Sequence, residues 1–207
     1  GNEFVSDGSV TVTVNGTAVP GSPFGLDENG NFGFGFDPAT LDFAAGDVVS
    51  VFDGTTTKTH TVTSLTITDV NHGSDTVSGM AAPGSSVDVW DHGSGASLQV
   101  IACDNNLYPC DGDSSGTWHA DFTSQADLVA GSNGNSSQCD DDNDCTRAYW
   151  RIPNPQFQVD PSSEDIWGDE FEPNSNLTIR VDGQDVPGGP YGTDEGGNFG
   201  FGFDPTI

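Results

Sequence analysis

Valine, isoleucine, threonine and aromatic residues alternate with polar ones in short runs along this chain. The runs are SVTVTV (9–14), VVSVF (48–52), KTHTVTSLTITDV (58–70), SVDVW (86–90), SLQVIA (97–102), TWHADF (117–122) and RAYWRI (147–152). Period two marks a half-buried strand, and no stretch keeps the 3.6 period of a helix. With 28 Gly and 12 Pro breaking the runs, the expected fold is all-β, and short strands between frequent turns suggest tandem Ig-like β-sandwich modules.

Two smaller patterns organise the strands. A Gly stands shortly before a valine-rich strand in DGSVTV (7–12), AGDVVSV (45–51) and PGSSVDV (83–89). An Asp-x-x-Gly-x-aromatic pattern occurs at Asp27–Gly30–Phe32, Asp113–Gly116–Trp118 and Asp194–Gly197–Phe199. Its chemistry is that of a hairpin turn: the Asp accepts from backbone N–H groups ahead of it, and the Gly takes the positive φ. The aromatic then points into the core. On TWHADF this predicts Trp118, Ala120 and Phe122 inside, with His119 and Asp121 outside.

The octapeptide NFGFGFDP occurs at 31–38 and again at 198–205. Residues 1–40 align with 168–207 at a constant offset of 167, with 22 identities and no gap. This is an internal repeat of long period. The pattern is that of a fragment of a tandem array, or of a subunit whose tail copies its head. Period two puts Phe32, Phe34 and Phe36 on one face and Gly33 and Gly35 on the other. Phe199, Phe201 and Phe203 alternate with Gly200 and Gly202 in the same way. The phenylalanines read as core. The bare glycine face reads either as an internal packing requirement or as a docking face for another module or chain. The resulting division is module A (1–70), module B (71–152), a Pro-rich connector (153–167) and the first part of a second module A (168–207), which lacks half its strands and is expected to be completed either by the next repeat of a longer chain or by the head of another molecule.

Composition narrows the function classes. The formal net charge is −28, from 32 acids against four Lys and Arg, which excludes nucleic acid and anionic membranes as partners. No apolar run is long enough to insert in a membrane. The chain starts without Met or a signal peptide, which reads as a processed or cropped end. Of the acids 26 are Asp, the residue of turns and oxygen-donor metal sites. Cys103, Cys110, Cys139 and Cys145 allow three pairings; the two local ones need the least reorganisation of the chain. None has zinc spacing, and disulfides imply an extracellular or cell-surface setting.

Module B, through DTVSGMAAPGSSVDVWD (75–91) and DSSGTWHADF (113–122), resembles bacterial immunoglobulin-like repeats. With DGTTTKTHTVT (53–63) and WRIPNP (150–155) added, the 167-residue unit is similar to long repeats of very large secreted proteins of environmental bacteria, notably Chloroflexota. The resemblance implies extracellular arrays serving as stalks, adhesins or fibres, and it implies no catalysis. The CDNNLYPC insertion and the cysteines around the acidic loop depart from it.

The sharpest candidate chemistry is CDDDNDC (139–145). Asp140, Asp142 and Asp144 have the D-x-D-x-D spacing of calcium loops, although Cys145 stands where an EF-hand has Gly and no Glu closes the loop. Asn143 is suited to a left-handed conformation. The alternatives are a calcium site and a disulfide-clipped, solvated acidic loop. Asp111 and Asp113 form a weaker second candidate. The four His residues fit no triad or zinc pattern. The SGMAAPG segment (78–84) lacks the Ser-Met step of the subtilisin motif. Trp90, Trp118, Trp150 and Trp167 read mainly as packing residues, with a sugar platform as the alternative. Asn15, Asn135 and Asn176 begin glycosylation sequons. The reading is a non-enzymatic structural repeat whose partner is itself, with calcium and disulfides stiffening it. The rival is a carbohydrate- or surface-binding module with a glycan partner.

Overall fold

The computed structural model describes residues 4, 8–35, 37, 39–103, 115–202. Among them there is no helix; the chain is all-β. Phe36, Phe203, Cys110, Asp111 and Asp113 lie outside the described residues. Packing divides the chain into two units, Gly1–Asp127 with Asn133–Trp150, and Leu128–Ser132 with Arg151–Ile207.

The first unit opens with β1 (Ser9–Val14), β2 (Thr17–Ala18), β3 (Phe24–Gly25), β4 (Val48–Phe52) and β5 (Thr57–Thr61). They form one sheet in the order β2-β1-β4-β5, with β3 also on β1. Its core is Phe4, Val10, Val12 and Val19, with Phe24, Phe32, Phe34, Val49 and Val51 packed against them. Two further sheets follow. One has the order β10-β7-β6, from β6 (Thr66–Asn71), β7 (Thr76–Met80) and β10 (Thr117–Asp121). The other has the order β12-β11-β8-β9, from β8 (Ser86–Asp91), β9 (Ser97–Ile101), β11 (Asn133–Cys139) and β12 (Cys145–Arg151). Both supply fully buried side chains, Val77 and Trp118 from the first, Val87 and Val89 from the second. Trp118, Ala120 and Phe122 are buried and His119 and Asp121 exposed, as the alternation predicts.

KTHTVTSLTITDV, expected as one strand, is two. The chain changes sheets at 62–65, because β5 pairs with β4 whereas β6 pairs with β7. Strand β11, NGNSSQC, carries no apolar alternation at all. Part of its polar centre is paired through side chains: Gln138 Nε2 donates to Ser85 Oγ at 2.6 Å, and Asn135 Oδ1 meets His92 Nε2 at 2.8 Å, whereas Ser136 Oγ and Gln138 Oε1 are buried without a hydrogen bond. Gly134 leaves room for an aromatic ring, since a Cβ there would lie 2.5 Å from Trp150 Cζ2.

The second unit holds β13 (Gln156–Asp160), β14 (Asp165–Asp169), β15 (Asn176–Leu177), β16 (Arg180–Val181), β17 (Gln184–Asp185), β18 (Tyr191–Gly192) and β19 (Phe199–Gly202). The connector residues are strand-paired: β13 and β14 form a hairpin turned at Asp160, whose Oδ1 accepts from Ser162 N at 2.9 Å and Ser162 Oγ at 2.7 Å. β19 lies on the other edge of β14.

The two copies of the repeat share their local registers. Ser9↔Gly25 and Val10↔Phe24 in the head reappear as Asn176↔Gly192 and Leu177↔Tyr191 in the tail. Thr13↔Ala18 and Val14↔Thr17 reappear as Arg180↔Asp185 and Val181↔Gln184. The surroundings differ. In the head, β4 holds β1 from Thr11 to Val14, and β1 is continuous. Among the described residues of the tail, the counterpart of β1 is the two short pieces β15 and β16. Conversely, Phe199–Gly202 is a strand against β14, whereas the identical residues 32–35 are in no strand. Phe32 and Phe34 are nevertheless half-buried while Gly33 and Gly35 are exposed, so the period-two division of faces holds.

Candidate metal centre

The loop Asp140–Asp144 joins β11 to β12 and is clipped by the Cys139–Cys145 disulfide, with a Cα–Cα distance of 4.1 Å. Its backbone closes on itself: Asp140 N donates to Asp144 O, and Asn143 N to Asp140 O, each at 3.0 Å. Asp144 N also donates to Asp140 Oδ1 at 2.9 Å. Asn143 has φ +66°, the left-handed conformation that Asn tolerates. This tight turn gathers the carboxylates. One oxygen each of Asp140, Asp142 and Asp144 lies within 4.8 Å of the others.

Two side chains from β5 reach this loop. Lys58 Nζ donates to Asp142 Oδ2 at 2.9 Å and to Asp142 O at 3.1 Å, and stands 4.0 Å from Asp144 Oδ2. His60 Nδ1 lies 2.8 Å from Asp140 Oδ2, and its Nε2 lies 2.8 Å from Thr146 Oγ1. Thr146 Oγ1 also accepts from Thr63 N at 3.0 Å. In the neutral ring, Nδ1–H donates to Asp140 and Nε2 accepts the Thr146 hydroxyl proton, so every group has a role. The His60 hydrogen bond holds Asp140 well below the usual carboxylate range, at about 2; burial opposes this, and smaller contributions from Asp142 and the Asp144 N–H add to it.

The donor set suits a hard cation. Three carboxylates converge, and Asp144 Oδ2 is buried without a hydrogen bond. Calcium takes six to eight oxygens, so the trio supplies part of a shell that water would complete. The Lys58 ammonium already neutralises one face of the trio, and a cation would share Asp142 with it. Sequence reasoning found the acids and missed Lys58 and His60. They lie 84 and 80 residues from their partners, and no spacing rule connects them. The one available signal was the scarcity of cations beside so dense an acidic cluster.

The remaining candidates fall elsewhere. Cys103 is disulfide-bonded. Trp118 and Trp150 are buried, whereas Trp90 and Trp167 are 52% and 40% exposed. Asn15 donates through Nδ2 to Asp47 Oδ1 at 2.8 Å, Asn135 is buried against His92, and Asn176 is exposed on β15. The phenylalanines of the repeated octapeptide form matching ring clusters. Phe32 contacts Phe4 edge-on at 5.9 Å and stacks on Phe34 at 5.7 Å. In the tail, Phe199 contacts Phe171 edge-on at 5.2 Å and stacks on Phe201 at 5.7 Å.

No family model matches the chain. No curated protein matches it either. The chain is similar to several solved structures, two of which follow. One is of a Ca2+-stabilized adhesin that helps an Antarctic bacterium reach out and bind ice, with 15% identity over 98% of this chain and 58% of that one, at a TM-score of 0.28. The other is of a tetra-tandem repeat in the extending region of a large adhesion protein, with 12% identity over 96% of this chain and 59% of that one, at a TM-score of 0.26. This chain therefore spans a little over half the length of each, and likeness at these scores carries no weight for fold or function.

Proposed function

We propose that this chain is a structural repeat unit of an extracellular filament, stalk or adhesin. It is built of Ig-like β-sandwich modules at 1–70 and 71–152, joined through 153–167 to a second start of module A at 168–207. It associates head to tail through module A, either as a covalent tandem array or by strand complementation. One observation carries this reading: the two copies, 167 residues apart, repeat the same local strand registers. The disulfides suit an oxidising exterior, and the net charge of −28 keeps such arrays soluble. Calcium at Asp140, Asp142 and Asp144 would lock the β11–β12 loop. No catalytic role is proposed.

The test is negative-stain electron microscopy with calcium and then with chelator, beside light scattering of the chain. Beaded filaments are expected. A uniform monomer under both conditions would sink self-assembly. The rival reading, a glycan- or surface-binding module, is favoured by Trp90 and Tyr149, 52% and 71% exposed on one sheet. A sugar-dependent quench of fluorescence that disappears in Trp90→Ala would support it.

A further inference from the structure

The sheet β12-β11-β8-β9 carries one row of side chains on its outward face. Asn135 of β11 stands opposite Trp90 of β8. On its other edge β11 turns back into β12, and the turn is closed by Asp140 N on Asp144 O and by the Cys139–Cys145 disulfide. Counting back from that turn puts Asn135 opposite Tyr149 and Gly134 opposite Trp150. The Trp150 ring does lie over Gly134, as the Trp118 ring lies over its strand partner Gly79. Opposed residues share a face, so Trp90, Asn135 and Tyr149 lie in line. Both rings are exposed, and two strand spacings, about 10 Å, separate them.

Hydrogen-bonding groups stand between and beside the rings. His92 Nε2 lies 2.8 Å from Asn135 Oδ1. An amide oxygen only accepts, so Nε2 carries the hydrogen; this holds the amide and leaves both Nδ2 hydrogens for another acceptor. The next row along has Asp88 opposite Ser137, with Arg147 on the far side of Ser137 by the same count. Asp88 Oδ1 accepts from Gln99 Nε2 at 3.0 Å, and its second oxygen can take a hydroxyl. Covering this face with an apolar partner would bury Asp88 and Arg147 away from water at a cost. A polyanion would meet the field of a chain with net charge −28. What fits is an uncharged, flat molecule with C–H faces for the rings and hydroxyls for the amide, carboxylate and guanidinium.

Resting on the glycan-binding alternative and naming its ligand class, we propose that Trp90, Asn135 and Tyr149 form a platform for a neutral pyranose chain. Trp90 and Tyr149 each stack on the C–H face of a separate sugar, the negative ring face meeting the weakly positive hydrogens. Asn135 Nδ2 donates to a sugar oxygen between them, and Asp88 and Arg147 bond hydroxyls along one side. The platform lies within residues 71–152 and uses nothing of the repeated octapeptide, so it operates in a single chain or in an array. In an array each copy adds a platform, and weak sites sum to firm attachment.

The experiment titrates the full chain by calorimetry with cellohexaose, with chitohexaose and, as a charged comparison, with hexagalacturonate. At least one neutral hexaose is expected to bind, and Trp90→Ala and Tyr149→Ala are each expected to weaken it by about tenfold or more at unchanged Tm. Trp90→Phe should restore most of the affinity. Trp167→Ala, which removes an exposed ring elsewhere, should change nothing. No binding of either neutral hexaose at millimolar concentration, or binding that both alanine variants leave intact, overturns the platform. Binding of hexagalacturonate alone, lost in Trp90→Ala, overturns the neutral class and leaves the glycan-binding alternative standing. Light scattering of the chain is read separately: assembly without sugar binding removes the platform and leaves the repeat unit standing.

Discussion

Lys58 Nζ on β5 sits 2.9 Å from the Asp142 carboxylate of the β11–β12 loop, across 84 positions of sequence. It ties the first sheet of the chain to the acidic loop. The Lys58 side chain is mostly buried, and its ammonium also donates to the Asp142 carbonyl. Replacing it with an apolar side chain of similar length leaves three carboxylates facing one another. Lys58→Met is therefore expected to lower stability by about 1 kcal/mol, the upper end for a surface ion pair. Urea unfolding in chelator checks this, and the deficit should narrow when calcium is added.

Asp140 contributes a pH dependence of fixed sign. Its carboxyl in the folded chain titrates at about 2, below the ordinary 3.8, so the folded state prefers the ionised form. The stabilisation is complete above the unfolded value and disappears as pH falls from about 4 through about 2. The difference in Tm between the parent and Asp140→Asn should be constant above about pH 5 and shrink toward zero at about pH 2. A difference that grows on acidification would contradict the His60 bond as the cause.

Calcium should act through the same loop. A cation that binds the folded chain alone raises stability by about 2.7 kcal/mol at a hundredfold excess over Kd. Calorimetry with calcium against chelator is expected to show a rise in Tm that Asp144→Asn removes, because Asp144 holds the buried, unbonded oxygen. The same rise in the variant would place any binding elsewhere.

The Cys139–Cys145 clip closes a short loop, at a sequence separation of six. Loop-closure entropy for so small a ring is worth about 2 kcal/mol. The double substitution Cys139→Ser, Cys145→Ser is expected to cost that amount and to weaken calcium binding together with it. Equilibrium unfolding and a calcium titration read the two effects separately.

Gly79 faces Trp118 across β7 and β10. A Cβ there would lie 2.0 Å from Thr66 O and 2.3 Å from Trp118 Cζ2. The carbonyl is backbone in the neighbouring strand and cannot rotate away. Gly79→Ala should cost about 3 kcal/mol as an overpacking substitution, whereas Gly33→Ala, with nothing within 4 Å, should be silent in the same denaturation experiment.

Much of the turn chemistry was legible residue by residue. Asp27 Oδ1 accepts from Asn29 N and Asn31 N, and Asp194 Oδ1 from Gly196 N and Asn198 N. Gly30, Gly116 and Gly197 have φ of +75°, +78° and +76°, as Asp-x-x-Gly-x-aromatic requires. Local hydrogen bonds and single-residue backbone preferences are written in adjacent letters. β11 was illegible for the opposite reason: its place in the sheet is set by Gln138, Asn135 and Gly134 meeting residues far away in sequence.

By itself the sequence determined the all-β class, the inward faces of the alternating strands, the hairpin turns, the repeat and the cluster of aspartates. All of these follow from period two, from positive-φ glycines and from carboxylates close along the chain. Only the tertiary structure decided that FGFG forms a strand at 199–202 and not at 32–35, and that Lys58 and His60 face the aspartates. A strand exists only when a partner offers its edge, and identical letters cannot carry that difference. An ion pair between residues 84 apart likewise depends on how sheets are laid together, which no local pattern encodes.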